Sequence, residues 1–142
     1  MAENKKETVP IKVLMLLPNL RVSNGVASFA MNYFRNLNHD EVQMDFAIYS
    51  DVQTPYYEEI RKQGRRIYVL PSIKRIDLHI KCCLDILNQG QYDVIHDNTL
   101  IITLPMMWCA MLKRVPVRIL HSHNSKLGET KKKEIRNKAF LA

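Results

Sequence analysis

The alternation of apolar and polar residues predicts that the chain begins with a buried strand followed by an amphipathic helix. The first apolar run, Ile11 to Leu17, is nearly continuous and rich in aliphatic residues, which is typical of a strand buried on both faces. After a polar loop, apolar residues recur at intervals of three and four from Val26 to Leu37. This spacing places them along one face of a helix.

The same alternation continues through the rest of the chain. Further strands are predicted at Met44 to Tyr49, Arg66 to Pro71, Tyr92 to Asn98 and Val117 to His123. The last of them is expected to begin as a buried strand, because its first residues are mainly apolar. Proline near a first turn and glycine after a last turn set the helix limits. On this basis, further helices are predicted at Thr54 to about Gln63, Ile76 to Gly90 and Pro105 to Arg114. Composition alone predicts another helix at Glu129 to Ala142.

Five successive strand and helix units indicate an α/β fold. We expect a three-layer, Rossmann-like, doubly wound sheet that is mostly parallel, since such units connect neighbouring parallel strands. No internal repeat or low-complexity linker divides the sequence. The expected organisation is a disordered leader at residues 1–9 and one domain at residues 10–142.

Composition restricts the protein class. With 142 residues, of which 46% are hydrophobic and 25% charged, the chain can bury one core and does not have the composition of a disordered or fibrous protein. An odd number of cysteines in apolar surroundings argues for free thiols and a cytoplasmic location. The N-terminus has no apolar signal sequence. The longest uncharged run is shorter than the roughly 20 apolar residues of a membrane-spanning helix.

The net charge of +7 is concentrated near the end of the sequence. Two interpretations of this basic segment stay open: a solvated helix face, or a surface that docks on the anionic inner face of a membrane. Nucleic-acid binding is not expected, because no aromatic residues alternate with the basic ones. The basic residues are Lys126, Lys131, Lys132, Lys133, Arg136 and Lys138.

Polar residues follow three of the predicted strands. Because ligands of open α/β sheets bind outside the carboxyl ends of the strands, these loops are the candidate site. In the first loop, Gly25 has three open interpretations: it allows a phosphate to approach the helix N-terminus, it serves a tight turn, or it supplies a left-handed residue together with Asn24. The other loops contribute His96, Asp97 and Asn98, and His121, Ser122, His123 and Asn124.

The sequence HSHN, at His121 to Asn124, has three interpretations: a metal site, a ligand-binding edge, or ordinary polar residues at a strand end. His121 and His123 would point to the same side if the strand continued through both. No third metal ligand has convincing spacing, so a metal is not expected. Patterns of serine hydrolases and P-loop proteins are absent from the sequence.

Three segments carry a family resemblance: residues 11–37, the strand YDVIHDN at residues 92–98, and VPVRILHSHNS at residues 115–125. They resemble the N-terminal domain of retaining glycosyltransferases with the GT-B fold. The most similar group is the family-four type that builds bacterial capsular polysaccharides and exopolysaccharides. Members commonly carry two glycines in the first loop, where this sequence has Asn24 and Gly25.

The resemblance implies transfer of a sugar from a nucleotide-sugar to a saccharide acceptor, expected to be lipid-linked, without a metal or other cofactor. It implies that His123 contacts the transferred sugar as the catalytic residue. Asn24, Gly25 and the amide of Val26 would lie near the donor diphosphate. The implied acceptor side consists of Asp97, Asn98, Ser122 and Asn124.

In this family a second, C-terminal domain with paired glutamates binds most of the donor. That domain is absent from the 142 residues, so we expect a fragment that is inactive alone and able to self-associate through its exposed inter-domain face. A different class also stays open: a free-standing, non-catalytic α/β domain of the flavodoxin-like or regulatory type.

Overall fold

The computed structural model describes residues 8–99, 102 and 104–123. In this part of the chain, strands and helices alternate as the sequence pattern predicts. The strands are β1 (Ile11–Leu17), β2 (Val42–Ile48), β3 (Ile67–Val69), β4 (Val94–Asp97) and β5 (Val117–Leu120). The helices are α1 (Gly25–Asn36), α2 (Pro55–Lys62), α3 (Ile76–Gly90) and α4 (Leu104–Leu112).

All strand pairs among the described residues are parallel, in the order β3-β2-β1-β4-β5. The chain therefore builds outward from β1 in one direction, then crosses over and builds in the other. This arrangement confirms the predicted doubly wound α/β fold. The topological switch point lies between β1 and β4, and ligands of such sheets bind outside the carboxyl ends of the strands there.

Alternate residues of β1 pack on opposite faces of the sheet. Met15 and Leu17 join a core with the apolar sides of α1 and α2. Leu14 and Leu16 join a second core with α3 and α4. This explains why β1 is almost continuously apolar, since a strand covered by helices on both faces has no solvent side.

The last strand differs from its prediction in two ways. Strand β5 ends at Leu120, so His121 to His123 continue the chain without strand structure. The expectation that this strand is buried is also wrong: Val117 is 45% exposed and Leu120 is 55% exposed. The physical reason is position, because β5 has a strand neighbour on one side alone within the described part of the sheet.

A buried polar network stabilises the opposite, amino-terminal edge of the sheet. Asp45 on β2 accepts a hydrogen bond from the hydroxyl of Tyr92, which precedes β4, and another from the amide of Arg66, which precedes β3. Burial, followed by the hydrogen bond to Asp45, raises the pKa of Tyr92 above its ordinary value. The network borders a polar pocket of about 170 Å³ that is also lined by Lys12 and Arg65.

The three cysteines lie on α3 and α4. Cys82, Cys83 and Cys109 are free, and the last two are buried. Burial is the main cause that raises the pKa of Cys83 to about 12, so its thiol stays protonated at neutral pH. None of the helices in the described residues combines the length and the apolar character needed to cross a membrane.

Candidate functional site

The polar residues after β4 and β5 meet at the carboxyl edge of the sheet. The register pairs Asp97 with Leu120, and the amide of His121 continues the ladder by donating to the carbonyl of Asp97 at 2.8 Å. The amide of Asn98 donates to the carbonyl of Leu16 on β1 at 3.2 Å. These backbone bonds hold the two loops side by side at the switch point.

Three histidines form a stacked column at this edge. The rings of His121 and His123 are 4.1 Å apart and inclined by 20°, although the strand that was predicted to align them has ended. Nδ1 of His121 lies 3.3 Å from Nε2 of His96. Burial, and then the neighbouring histidines, lower the pKa of His96 and of His123 below the ordinary value. The imidazoles of His96 and His123 are therefore mainly neutral at pH 7.

Phe29 on α1 supplies an aromatic wall for this column. Its ring stands edge-to-face with His123 at 4.9 Å and with His121 at 5.4 Å. In the sequence, Phe29 is one of the apolar residues between Val26 and Leu37. Nothing in that spacing separates a core residue from one at the edge of the sheet. Phe29 also borders a mainly apolar pocket of about 170 Å³, together with Met15, Tyr33, Met44, His96 and His121.

Asn98 connects this column to the core. Its Oδ1 lies 2.6 Å from Nε2 of His123. Its Nδ2 donates to the carbonyl of Leu16 and to the sulfur of Met15. With 6% exposure, Asn98 offers little surface to an acceptor and instead supports His123.

The remaining residues predicted for the acceptor side differ in exposure. Asp97 is fully buried, and its carboxylate accepts hydrogen bonds from the amide and the hydroxyl of Thr99 at 2.7 and 2.9 Å. Ser122 is exposed at the edge between the two histidines. Asn124 and the basic residues from Lys126 to Lys138 lie outside the described residues, so their predicted roles stay predictions.

The first loop ends in a well-formed helix cap. Asn24 is extended, with φ of −87°, and its side chain accepts hydrogen bonds from the amides of Val26 and Ala27 at 2.9 and 3.1 Å. The alternative in which Asn24 or Gly25 is left-handed is therefore wrong. A Cβ on Gly25 would meet no atom within 4 Å, so neither a turn nor close packing requires glycine at this position.

The described residues offer no set of metal ligands, at this edge or elsewhere. No group of three or more histidine, cysteine, aspartate or glutamate residues there is arranged to hold a metal ion. The histidine column is instead occupied with ring stacking and with contacts to Phe29 and Asn98. Its chemistry is that of hydrogen-bonding imidazoles beside an aromatic wall.

Comparisons with known proteins show what this chain is similar to. No protein-family model matches the sequence. The fold is similar to the crystal structure of Acinetobacter baumannii MurG, with a TM-score of 0.60 and 19% identity over 89% of this chain. The sequence is 30% identical over 117 residues, or 80% of the chain, to the Bacillus subtilis (strain 168) protein named "Putative glycosyltransferase EpsF". Together, the sequence match and the fold match support a GT-B glycosyltransferase domain.

The GT-B domain is much shorter than these relatives. The match covers 30% of EpsF and 38% of the MurG chain. The resemblance to GT-B glycosyltransferases and the predicted fold class are both confirmed. The functional roles of individual residues stay predictions, as do the reaction and the substrates of a whole protein that contains this domain.

Proposed function

We propose that the GT-B domain forms the acceptor-side half of a retaining glycosyltransferase of polysaccharide biosynthesis. The complete enzyme would transfer a sugar from a nucleotide-sugar to a saccharide acceptor. The observation that carries this proposal is the position of His123, a neutral imidazole fixed by Asn98 and Phe29 at the carboxyl edge of the sheet. A neutral imidazole at that edge can orient a sugar hydroxyl at the reaction centre.

The N-terminus of α1 is the proposed contact for the donor diphosphate. Helix amides and the helix dipole stabilise an anion, which is also how a leaving diphosphate can be stabilised without a metal. Because Gly25 faces open space, a phosphate can approach its backbone closely. The amide of Val26 is bonded to Asn24, so an arriving phosphate would have to displace that side chain or share the amide with it.

The acceptor side of the proposal rests on exposed groups. Tyr33 is 56% exposed and Phe29 lies beside it at 4.8 Å, so the two rings offer an apolar surface to a sugar ring. Ser122 offers a hydroxyl at the same edge. Direct acceptor contacts by Asp97 and Asn98 are not retained in the proposal, because these residues are 0% and 6% exposed.

Three further proposals concern the surroundings of the domain. The acceptor is lipid-linked, the basic residues from Lys126 to Lys138 dock on the anionic inner face of a membrane, and the inter-domain face allows self-association. Sedimentation with anionic and neutral liposomes tests the membrane contact, which equal binding to both would contradict. Sedimentation equilibrium tests self-association, which a monomer at all concentrations would contradict.

The proposed enzyme needs a second domain. The match to 30% of EpsF supports this, since a donor-binding half is expected in the remaining length. We therefore expect no sugar transfer by the 142-residue chain alone. Transfer by the isolated chain would contradict this part of the proposal and leave the assignment of the reaction intact.

The experiment uses a chimaera in which this domain replaces the aligned part of EpsF, assayed with labelled nucleotide-sugars. We expect transfer by the chimaera and a loss of about 100-fold with His123→Ala, the usual cost of removing one group that stabilises the transition state. His39→Ala is the matched control, because His39 also packs edge-on against a phenylalanine, at 4.9 Å from Phe34, but lies before β2. Equal activity of the chimaera and its His123→Ala variant would refute the proposed role.

A further inference from the structure

The hydrogen bonds of Asn98 determine which of its side-chain atoms faces His123. The side-chain amide nitrogen lies 3.1 Å from the carbonyl oxygen of Leu16 and 2.8 Å from the sulfur of Met15. Both of these atoms are acceptors with no hydrogen to donate. The opposite orientation of the amide would place its oxygen against another oxygen, so Oδ1 must be the atom that faces His123.

The orientation of Asn98 in turn determines the proton position on His123. Oδ1 of an asparagine can only accept, and it lies 2.6 Å from Nε2 of His123. Nε2 must therefore carry a hydrogen. In the neutral ring, Nδ1 is then the unprotonated nitrogen and can accept a hydrogen bond.

Among the described residues, other groups hold the ring of His123, but its Nδ1 has no hydrogen-bond partner. His121 stacks on the ring of His123, and Phe29 contacts it edge-on. Among the described residues, none forms a hydrogen bond with Nδ1. The buried asparagine thus directs the acceptor nitrogen of His123 away from the core contact.

We propose that Asn98 is the positioning residue of His123: it selects the Nε2–H tautomer, so that Nδ1 accepts a hydrogen bond from a ligand hydroxyl. The identity of that ligand as a sugar rests on the proposed function. The tautomer and the Asn98 contact do not, because they follow from the hydrogen-bond pattern alone. A protonated His123 would donate from both nitrogens and would lose this acceptor.

Among the described residues, the titratable groups near the contact of Asn98 with His123 include two histidines and one aspartate. His121 stacks directly on His123, and His96 lies next in the column. Asp97 precedes Asn98, but its carboxylate is bonded to Thr99. Replacing Asn98 by aspartate would place a carboxylate at Nε2, where it would stabilise the imidazolium ion.

Nitrogen NMR of the full chain with labelled histidine tests the proposal without any substrate. We expect His123 in the Nε2–H form at neutral pH, and we expect Asn98→Asp to raise the pKa of His123 by at least about one unit. Asn19→Asp is the matched control, since it adds the same charge to the loop after β1, where Asn19 bonds to the amide of Arg21. It should leave the pKa of His123 nearly unchanged.

The outcomes separate this inference from the proposed function. A proton on Nδ1, or a pKa that Asn98→Asp does not change, would overturn the positioning role even if the chimaera is active. If the chimaera is active, Asn98→Asp should lower transfer at neutral pH and restore part of it at higher pH, where His123 is neutral again. Activity at neutral pH equal to that of the unsubstituted chimaera would overturn the acceptor role of Nδ1.

Discussion

Gly25 and Gly90 are helix residues at opposite edges of the same sheet, and the fold requires only one of them to be glycine. Gly90 is buried at the end of α3, and a Cβ there would lie 2.0 Å from Cε2 of the Tyr92 ring. Gly25 begins α1, and a Cβ there would meet no atom within 4 Å. Neither residue has a positive φ, so the difference between them is one of space.

This difference separates a structural glycine from one that is available for function. At the amino-terminal edge, Gly90, Tyr92 and Asp45 satisfy one another by packing and hydrogen bonding. At the carboxyl edge, Gly25 and Nδ1 of His123 have no corresponding contact within the described residues. Groups that the fold does not use are the ones that a ligand can use, which is why the carboxyl edge is the candidate site.

Replacing each glycine by alanine gives the largest expected contrast. Gly90→Ala should destabilise the domain by about 3 kcal/mol, because the ring of Tyr92 is held by Asp45 and cannot move away without breaking that bond. Gly25→Ala should change the free energy of unfolding by less than about 0.5 kcal/mol. Urea denaturation of the two variants measures both values.

A double substitution checks the cause. In a Tyr92→Ala background, the cost of Gly90→Ala should largely disappear, since residues in direct contact show strongly non-additive effects. An unchanged cost would mean that the ring of Tyr92 is not the obstacle. A large cost for Gly25→Ala would remove the contrast between the two edges.

The polar network beside Gly90 gives the next effect in size. Tyr92→Phe removes the hydroxyl that donates to the buried carboxylate of Asp45, which should cost about 2 kcal/mol because an acceptor is left unsatisfied. Tyr33→Phe is the matched control, since Tyr33 is 56% exposed and should be nearly neutral. Equal unfolding free energies for both variants would show that the Asp45 contact contributes nothing to stability.

The sequence predicted most of the fold because periodicity reports burial. The continuous apolar run of β1 and the helical stripe of α1 each arise from one physical cause, a face that must be covered. The burial of β5 was predicted wrongly from the same signal. An apolar run indicates a strand, but it carries no information about whether that strand lies at the centre or at the edge of the sheet.

The candidate site could be predicted only in part. The polar loops were located correctly at the carboxyl edge, because parallel strands bring their ends together. The contacts of Asn98 with His123 and of Phe29 with the histidine column depend on side-chain positions from three different segments. No spacing in one sequence encodes such contacts, so the support for His123 was seen only in the structure.

Asn24 is a residue whose replacement should lower stability without weakening anion binding. Asn24→Ala removes the cap that accepts from the amides of Val26 and Ala27, and should cost about 1 kcal/mol. Asn36→Ala is the matched control at the other end of α1, where the side chain bonds to the carbonyl of Asn32.

Anion binding by the same variant tests the role of the helix amides. Because Asn24→Ala frees the amides of Val26 and Ala27, added pyrophosphate should stabilise this variant at least as much as the unsubstituted domain. The shift in urea denaturation measures this stabilisation. Stabilisation of the unsubstituted domain alone would instead mean that the side chain of Asn24 itself binds the anion, and the helix amides would lose their proposed role.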